Sequence, residues 1–130
     1  MGEKVFIRED IFTDGPEGTA LLANRCGSCG KIYFPKLEFC AECFGVHLTD
    51  IPLSRRGRLY TYTITHMPSA HFEPPFANGF VDTDEGARVY APLVIREDKP
   101  FKVGMEMEMV VETLWQEGEK EMVGFRFRPV

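Results

Sequence analysis

The residues of this sequence best suited to chemistry are its four cysteines, which all lie within the segment RCGSCGKIYFPKLEFCAEC, residues 25–43. Cys26, Cys29, Cys40 and Cys43 follow the spacing C-x2-C-x10-C-x2-C. Two such knuckles joined by a loop can bring four thiolates to one point, as tetrahedral structural zinc requires. Two disulfides, a redox dithiol and an iron–sulfur centre are the alternatives. The spacing favours a structural zinc site, with His47 outside an already complete ligand set.

The loop between the two knuckles, GKIYFPKLEF, is unusually apolar for its length. It carries Ile32, Tyr33, Phe34, Leu37 and Phe39. A ribbon of this size cannot bury that much apolar surface within itself. Either the rest of this chain packs on the hairpin, or a partner protein does. The sequence leaves both alternatives open.

Outside the ribbon, the sequence offers few groups that could catalyse a reaction. His66 and His71 bracket Ser69, but their spacing matches no nucleophile motif. The acidic stretch TDEG, residues 83–86, is ordinary turn chemistry between strands. We therefore expect no catalytic residue in this chain, and we expect that it is not an enzyme by itself.

The elements that position the ribbon are predicted to be strands. Residues 1–24 form an N-terminal extension, in which Thr13, Asp14 or Thr19 would cap a short helix. Residues 25–50 form the ribbon, and residues 51–130 form a barrel. Period-two alternation with β-branched and aromatic residues predicts five strands in the barrel. They fall within residues 57–67, 76–84, 87–96, 105–115 and 121–130.

Five strands without a long helix suit a small closed barrel, and the OB-fold is the commonest such barrel at this length. The predicted fold class is therefore mainly β, a rubredoxin-like zinc ribbon followed by a five-stranded OB-fold barrel. In the fourth barrel strand, Met105, Met107 and Met109 fall on one face and Glu106 and Glu108 on the other. This alternation predicts a half-buried strand whose methionines enter the core.

Composition limits the classes of partner. An apolar content of 44% and a charged content of 27% are those of a globular chain. The formal net charge of −5 disfavours nucleic acid and anionic membranes, although SRRGR, residues 54–58, is a local basic cluster. The sequence has no apolar stretch long enough for a membrane span and no signal-peptide pattern. We expect a cytoplasmic protein.

The chain resembles a family of small zinc-ribbon/OB-fold proteins that accompany acyl-CoA enzymes, especially thiolases of the sterol-carrier type and archaeal hydroxymethylglutaryl-CoA synthase assemblies. The resemblance rests on the cysteine segment and on GRLYTYTITH, PFANGFVDTDEGARVYAPL, FKVGMEMEMV and FRFRPV. Within the family, the chain looks like the small subunits of thiolases that cleave an aromatic acylsuccinyl-CoA.

The resemblance implies a non-catalytic subunit of a hetero-oligomer. Its partner would be a thiolase-like catalytic subunit that carries the catalytic groups, and acyl-CoA would be a shared ligand. Because coenzyme A carries phosphates, Arg55, Arg56, Arg58 and Lys31 are the candidate contacts for it. The family's four cysteines correspond to Cys26, Cys29, Cys40 and Cys43, with Zn2+ in a structural role.

Two other functions compete with this interpretation. Zinc ribbons and OB-folds also bind single-stranded nucleic acid, for which Tyr60 and Tyr62 could stack on bases. The acidic net charge counts against this alternative. A stand-alone acyl-CoA carrier or small zinc enzyme would need an open coordination position or a deep apolar pocket, and the sequence supplies neither clearly.

Overall fold

The computed structural model describes residues 3–6, 8–15 and 18–130, which form ten strands and one turn of 3-10 helix at Glu9–Ile11. The strands are β1 (Glu3–Phe6), β2 (Phe12–Gly15), β3 (Gly18–Cys26), β4 (Ile32–Tyr33), β5 (Leu48–Pro52), β6 (Arg56–Thr65), β7 (Phe76–Thr83), β8 (Arg88–Leu93), β9 (Glu106–Glu117) and β10 (Lys120–Pro129). Within these ranges there is no α-helix, and hence no helix that could cross a membrane. The mainly β fold class is confirmed.

Strands β6 to β10 close into a barrel. Their order is β6-β7-β8-β10-β9, and β9 pairs with β6 to complete the ring. The pairings are antiparallel except for β8 with β10, where Phe127 lies opposite Leu93 in parallel register. This is the five-stranded barrel of an OB-fold. The short β1 adds to β10 in parallel register, outside the ring.

The barrel core follows from the period-two alternation of its strands. Met107 and Met109 on β9 are fully buried, beside Leu59, Val89 and Phe127. The prediction that these methionines belong to the core is confirmed. On the opposite face of β9, Glu106 and Glu108 form ion pairs with arginines of neighbouring strands.

A second sheet is built around β3, which pairs with β2, β4 and β5. Leu21 and Ala23 of β3 and Leu53 after β5 are buried in the same core as the barrel residues. The ribbon therefore rests on the barrel through a shared apolar core. Where the sequence predicts a short helix, the structure has the 3-10 turn and the β2–β3 hairpin. Thr13 and Asp14 lie in β2.

The β2–β3 hairpin depends on Gly18, which begins β3 at a φ of 111° and lies opposite Gly15, the last residue of β2. Its strand pairing satisfies more backbone groups than a single helical turn would.

The division of the chain at residues 24/25 and 50/51 stays a prediction.

Candidate metal centre

The four cysteines meet at one point at the end of the ribbon. Their Sγ atoms all lie within 4.8 Å of one another. Cys26 Sγ lies 3.5 Å from Cys43 Sγ, and Cys29 Sγ lies 3.4 Å from Cys40 Sγ. A tetrahedral site with Zn–S bonds of about 2.3 Å needs sulfur atoms about 3.8 Å apart. The sulfur cage therefore has the size that zinc requires.

The two knuckles share one backbone pattern. Gly30 N–H donates to the carbonyl of Cys26 at 2.9 Å, and Phe44 N–H donates to the carbonyl of Cys40 at 2.8 Å. The donor of each pair lies four residues after the first cysteine of its knuckle, and both have positive φ: 81° for Gly30 and 60° for Phe44. The turn thus demands a left-handed residue, which glycine supplies in the first knuckle and phenylalanine in the second.

The thiols influence one another's ionisation. The pKa of the Cys40 thiol is lowered to about 6, mainly by the hydrogen bond from the Tyr33 hydroxyl and to a lesser extent by the backbone N–H of Cys43. The backbone N–H of Gly45 favours the thiolate of Cys43, but the sulfurs of Cys26 and Cys40 outweigh it and raise the pKa of Cys43 to about 12. Four close thiols therefore cannot all ionise together unless a cation balances them.

The donor set fits structural Zn2+. Four sulfur ligands fill a tetrahedral shell and leave no position for substrate. Cys26 and Cys40 are buried, whereas Cys29 and Cys43 are exposed. The exposed His47 is outside the group of ligands, which contains cysteines alone among residues 3–6, 8–15 and 18–130. When bound, zinc would supply the attraction that holds the two knuckles together.

The apolar hairpin has two environments. Ile32 and Phe34 pack against the barrel core, and the Phe34 ring lies edge-on to Phe125 with the centroids 6.1 Å apart. Four other apolar side chains of the ribbon stay exposed: Leu37 and Phe39 in the loop, and Phe44 and Val46 after Cys43. The exposed fraction is 74% for Phe44 and 68% for Val46. The chain therefore covers part of the ribbon's apolar surface and leaves these four side chains in solvent.

Sequence reasoning missed one buried anchor of this hairpin. Asn24 is only 5% exposed, and its Nδ2 donates to the carbonyl of Leu37 at 2.7 Å. The N–H of Leu37 in turn donates to Asn24 Oδ1 at 3.4 Å. A single amide directly after the apolar run ALLA, residues 20–23, was the available signal. Asn24 thereby fixes the loop that carries the exposed Leu37 and Phe39.

The four basic residues that the sequence offers as contacts for coenzyme A interact with different parts of the chain. Arg55 Nη2 donates to the carbonyl of Met109 at 3.2 Å, and Arg58 Nη1 donates to that of Gly104 at 3.2 Å. Arg56 forms ion pairs with two glutamates of β9, at 3.0 and 3.5 Å. Lys31 Nζ lies 3.5 Å from a carboxylate of the second knuckle.

Lys31 also lines an open cleft of about 510 Å³ between the hairpin and the barrel. Arg88, which sequence reasoning did not single out, lines the same cleft. The Arg88 guanidinium lies 3.5 Å from the centroid of the Tyr60 ring. Arg55, Arg56 and Arg58 are not among the residues that line the cleft, so the structure does not gather the four sequence-predicted basic residues around it.

Ser69, His71 and the turn at residues 83–86 have structural contacts. Ser69 Oγ bonds to the backbone of Phe72, and the His71 ring stacks on Trp115 at a centroid distance of 4.2 Å. Gly86 N–H donates to the carbonyl of Thr83 at 3.0 Å, which confirms the predicted turn. These contacts position loops, with the Ser69 hydroxyl bonded to backbone and the His71 ring stacked on an aromatic residue.

Two protein-family models match the chain. The model described as the ChsH2 rubredoxin-like zinc ribbon domain matches residues 20–47, and the ChsH2 C-terminal OB-fold domain matches residues 50–112. Both matches agree with the fold and the cysteine cage described above.

Relatives match over nearly the whole chain. The benzoylsuccinyl-CoA thiolase subunit BbsA of Thauera aromatica is 32% identical over 130 residues, covering 96% of this chain and 88% of the relative. A DUF35 domain-containing scaffold protein of Methanocaldococcus jannaschii is 29% identical, covering 100% and 99%. Among solved structures, a chain of the Ltp2-ChsH2(DUF35) aldolase superposes with a TM-score of 0.70 at 27% identity, covering 85% of this chain and 84% of that one.

Proposed function

Because this chain belongs to the family of ChsH2-type zinc-ribbon and OB-fold proteins, which includes DUF35 scaffold proteins and thiolase subunits, we propose that it is a non-catalytic subunit that docks on a thiolase-type catalytic chain. The names of the relatives support a shared enzyme complex, since one is a thiolase subunit and the aldolase structure pairs Ltp2 with ChsH2. Cys26, Cys29, Cys40 and Cys43 hold a structural zinc in this proposal.

Four exposed apolar side chains of the ribbon carry the proposal. We call Leu37, Phe39, Phe44 and Val46 the ribbon tip. Phe44 has left-handed backbone geometry, which costs a non-glycine residue about 1–2 kcal/mol, and the residue is 74% exposed. A strained aromatic residue that gains little from burial in its own chain suits a role at an interface, where aromatic anchors dominate binding.

The partner surface that fits the ribbon tip is an apolar depression on the catalytic chain. The tip is apolar, but charged residues lie beside it, including the exposed Glu38 and the Lys36–Asp50 ion pair at 3.2 Å. An apolar centre with a polar rim is the usual anatomy of a protein interface. The zinc centre would hold the tip in the shape that the partner recognises.

We extend the proposal to the ligand of the complex, an acyl-CoA formed in the breakdown of an aromatic or related acid. The candidates for contacts with the phosphates of coenzyme A are Arg55, Arg56, Arg58 and Lys31. Arg58 and Lys31 are exposed, whereas Arg55 and Arg56 are half-buried and bonded to β9. Arg58 and Lys31 are therefore the first two to test, by substitution with Gln and titration with CoA.

Reconstitution with the catalytic chain tests the function. The isolated chain should show no thiolysis of acyl-CoA, whereas the two chains together should be active. Phe44→Gly should weaken docking by at least about 30-fold, the loss of a hot spot of 2 kcal/mol or more. Met67→Gly is the matched control, because Met67 is also 74% exposed but lies on the β6–β7 loop. Thiolysis by the isolated chain would contradict the proposal.

One observation favours a second candidate function, binding of single-stranded nucleic acid. Phe80 and Tyr90 lie opposite each other on the outer barrel face with ring centroids 5.0 Å apart, and Tyr60 lies under Arg88 on the same face. OB-folds bind strands of nucleic acid on this face through such aromatic residues. Salt-dependent binding of oligo-dT, lost in Phe80→Ala, would support it; no binding at low salt would exclude it.

A further inference from the structure

Tyr33 connects β4 to the second cysteine knuckle. It lies on β4, opposite Asn24 of β3, and its side chain is half-buried. Its hydroxyl oxygen lies 3.3 Å from Cys40 Sγ and accepts a hydrogen bond from Ala41 N–H at 3.1 Å. Cys40 is fully buried, which keeps water away from its sulfur. The contact spans seven residues of sequence.

The chemistry of the groups fixes the direction of the hydrogen bond. A cysteine that binds zinc is a thiolate and has no proton to donate. Ala41 N–H already donates to the Tyr33 oxygen, so the phenol proton points to the remaining acceptor, the sulfur of Cys40. A hydrogen bond to an ionised acceptor is stronger than one between neutral groups.

We propose that Tyr33 is a positioning residue of the metal centre, whose hydroxyl holds the Cys40 thiolate in place and thereby slows the loss of zinc. The proposal rests on the zinc ligands assigned above. The hydroxyl draws charge away from one sulfur, which lessens the repulsion among four closely spaced thiolates. The hydrogen bond also joins the second knuckle to β4, so that Cys40 cannot move away from the metal independently of β4.

Zinc transfer to a chromophoric chelator measures this role in the intact, zinc-loaded chain. Tyr33→Phe keeps the ring and removes only the hydroxyl. Loss of such an outer contact typically weakens a metal site about 10- to 100-fold, so we expect zinc release to be at least about 10-fold faster. Tyr90→Phe is the matched control, because the exposed Tyr90 ring contacts Phe80 on the barrel, and it should release zinc at the wild-type rate. Wild-type kinetics in Tyr33→Phe would overturn the proposal.

A second readout separates the hydrogen bond from general loosening of the ribbon. In the Co2+-substituted chain, Tyr33→Phe should move the sulfur-to-cobalt charge-transfer band to lower energy, because the freed thiolate donates more strongly. Mapped alkylation should rise at Cys40 more than at Cys26, which is equally buried. Faster release with an unmoved band and evenly increased alkylation would overturn the proposal. A wild-type chain that binds no zinc would instead refute the ligand assignment on which it rests.

Discussion

Replacing Phe44 by glycine should separate the stability of this chain from its docking. The second knuckle holds Phe44 at a φ of 60°, in the position where the first knuckle has Gly30. Glycine at position 44 would adopt this backbone without strain, and it would remove the ring that we assign to the interface. Stability and docking should therefore respond differently to one substitution.

The expected change in the free energy of unfolding is close to zero. Relief of left-handed strain contributes about 1–2 kcal/mol. The greater freedom of glycine in the unfolded chain removes about 0.4–1 kcal/mol. Roughly a quarter of the side chain is buried, so losing it removes about 0.5 kcal/mol of the 1.5–3 that full burial would give. The three contributions leave the variant within about 1 kcal/mol of the wild type.

Urea denaturation at fixed free zinc measures this change, with Gly30→Ala as the companion variant. A methyl group at Gly30 meets no atom within 4 Å, so that variant should lose about 1 kcal/mol through its φ of 81° alone. Docking of Phe44→Gly on the catalytic chain should nevertheless fall by at least about 30-fold. A destabilisation beyond about 2 kcal/mol, or unchanged docking, would refute the reasoning.

Three further predictions concern the barrel and the metal. Gly79→Ala should lower the free energy of unfolding, measured by urea denaturation, by about 3 kcal/mol or more, because the new Cβ would lie 2.3 Å from a carbonyl oxygen of β6. Gly86→Ala is the control: the space around Gly86 is open, so this variant should lose only about 1 kcal/mol. The hydrogen bond from Arg128, with a smaller contribution from the charge of Arg56, holds the pKa of Glu108 below its usual range. The contribution of Glu108 to stability is complete well above the ordinary pKa of a glutamate and is lost as the pH falls through the lowered pKa, so the deficit of Glu108→Gln should vanish in acid. Chelation of zinc should raise amide exchange in residues 26–48 and leave the barrel protected; equal exchange in both would contradict a separate structural role for the metal.

The parts of the molecule that sequence predicted well are those governed by local periodicity or spacing. The cysteine spacing places four sulfurs within 4.8 Å, and period-two alternation locates all five barrel strands to within a few residues. Met107 and Met109 are buried as the alternation requires. These signals need only a few neighbouring residues, so they are visible in a single chain.

Contacts between distant segments were not predictable in this way. The hydrogen bond of Asn24 to the Leu37 backbone joins residues 13 apart, and the hydroxyl of Tyr33 meets Cys40 only after the hairpin folds back. Tyr33 was visible in the sequence only as one of several apolar hairpin residues. The pairing of β1 with β10 joins opposite ends of the chain and likewise has no local signal.

Native mass spectrometry of the tagged chain recovered from its own cell extract tests the central claim most directly, because it counts bound metal and identifies the partner in one experiment. The account predicts one zinc ion on each copy of this chain and a stable complex with a thiolase-like catalytic chain. A chain recovered alone, without zinc or bound to nucleic acid, would contradict it.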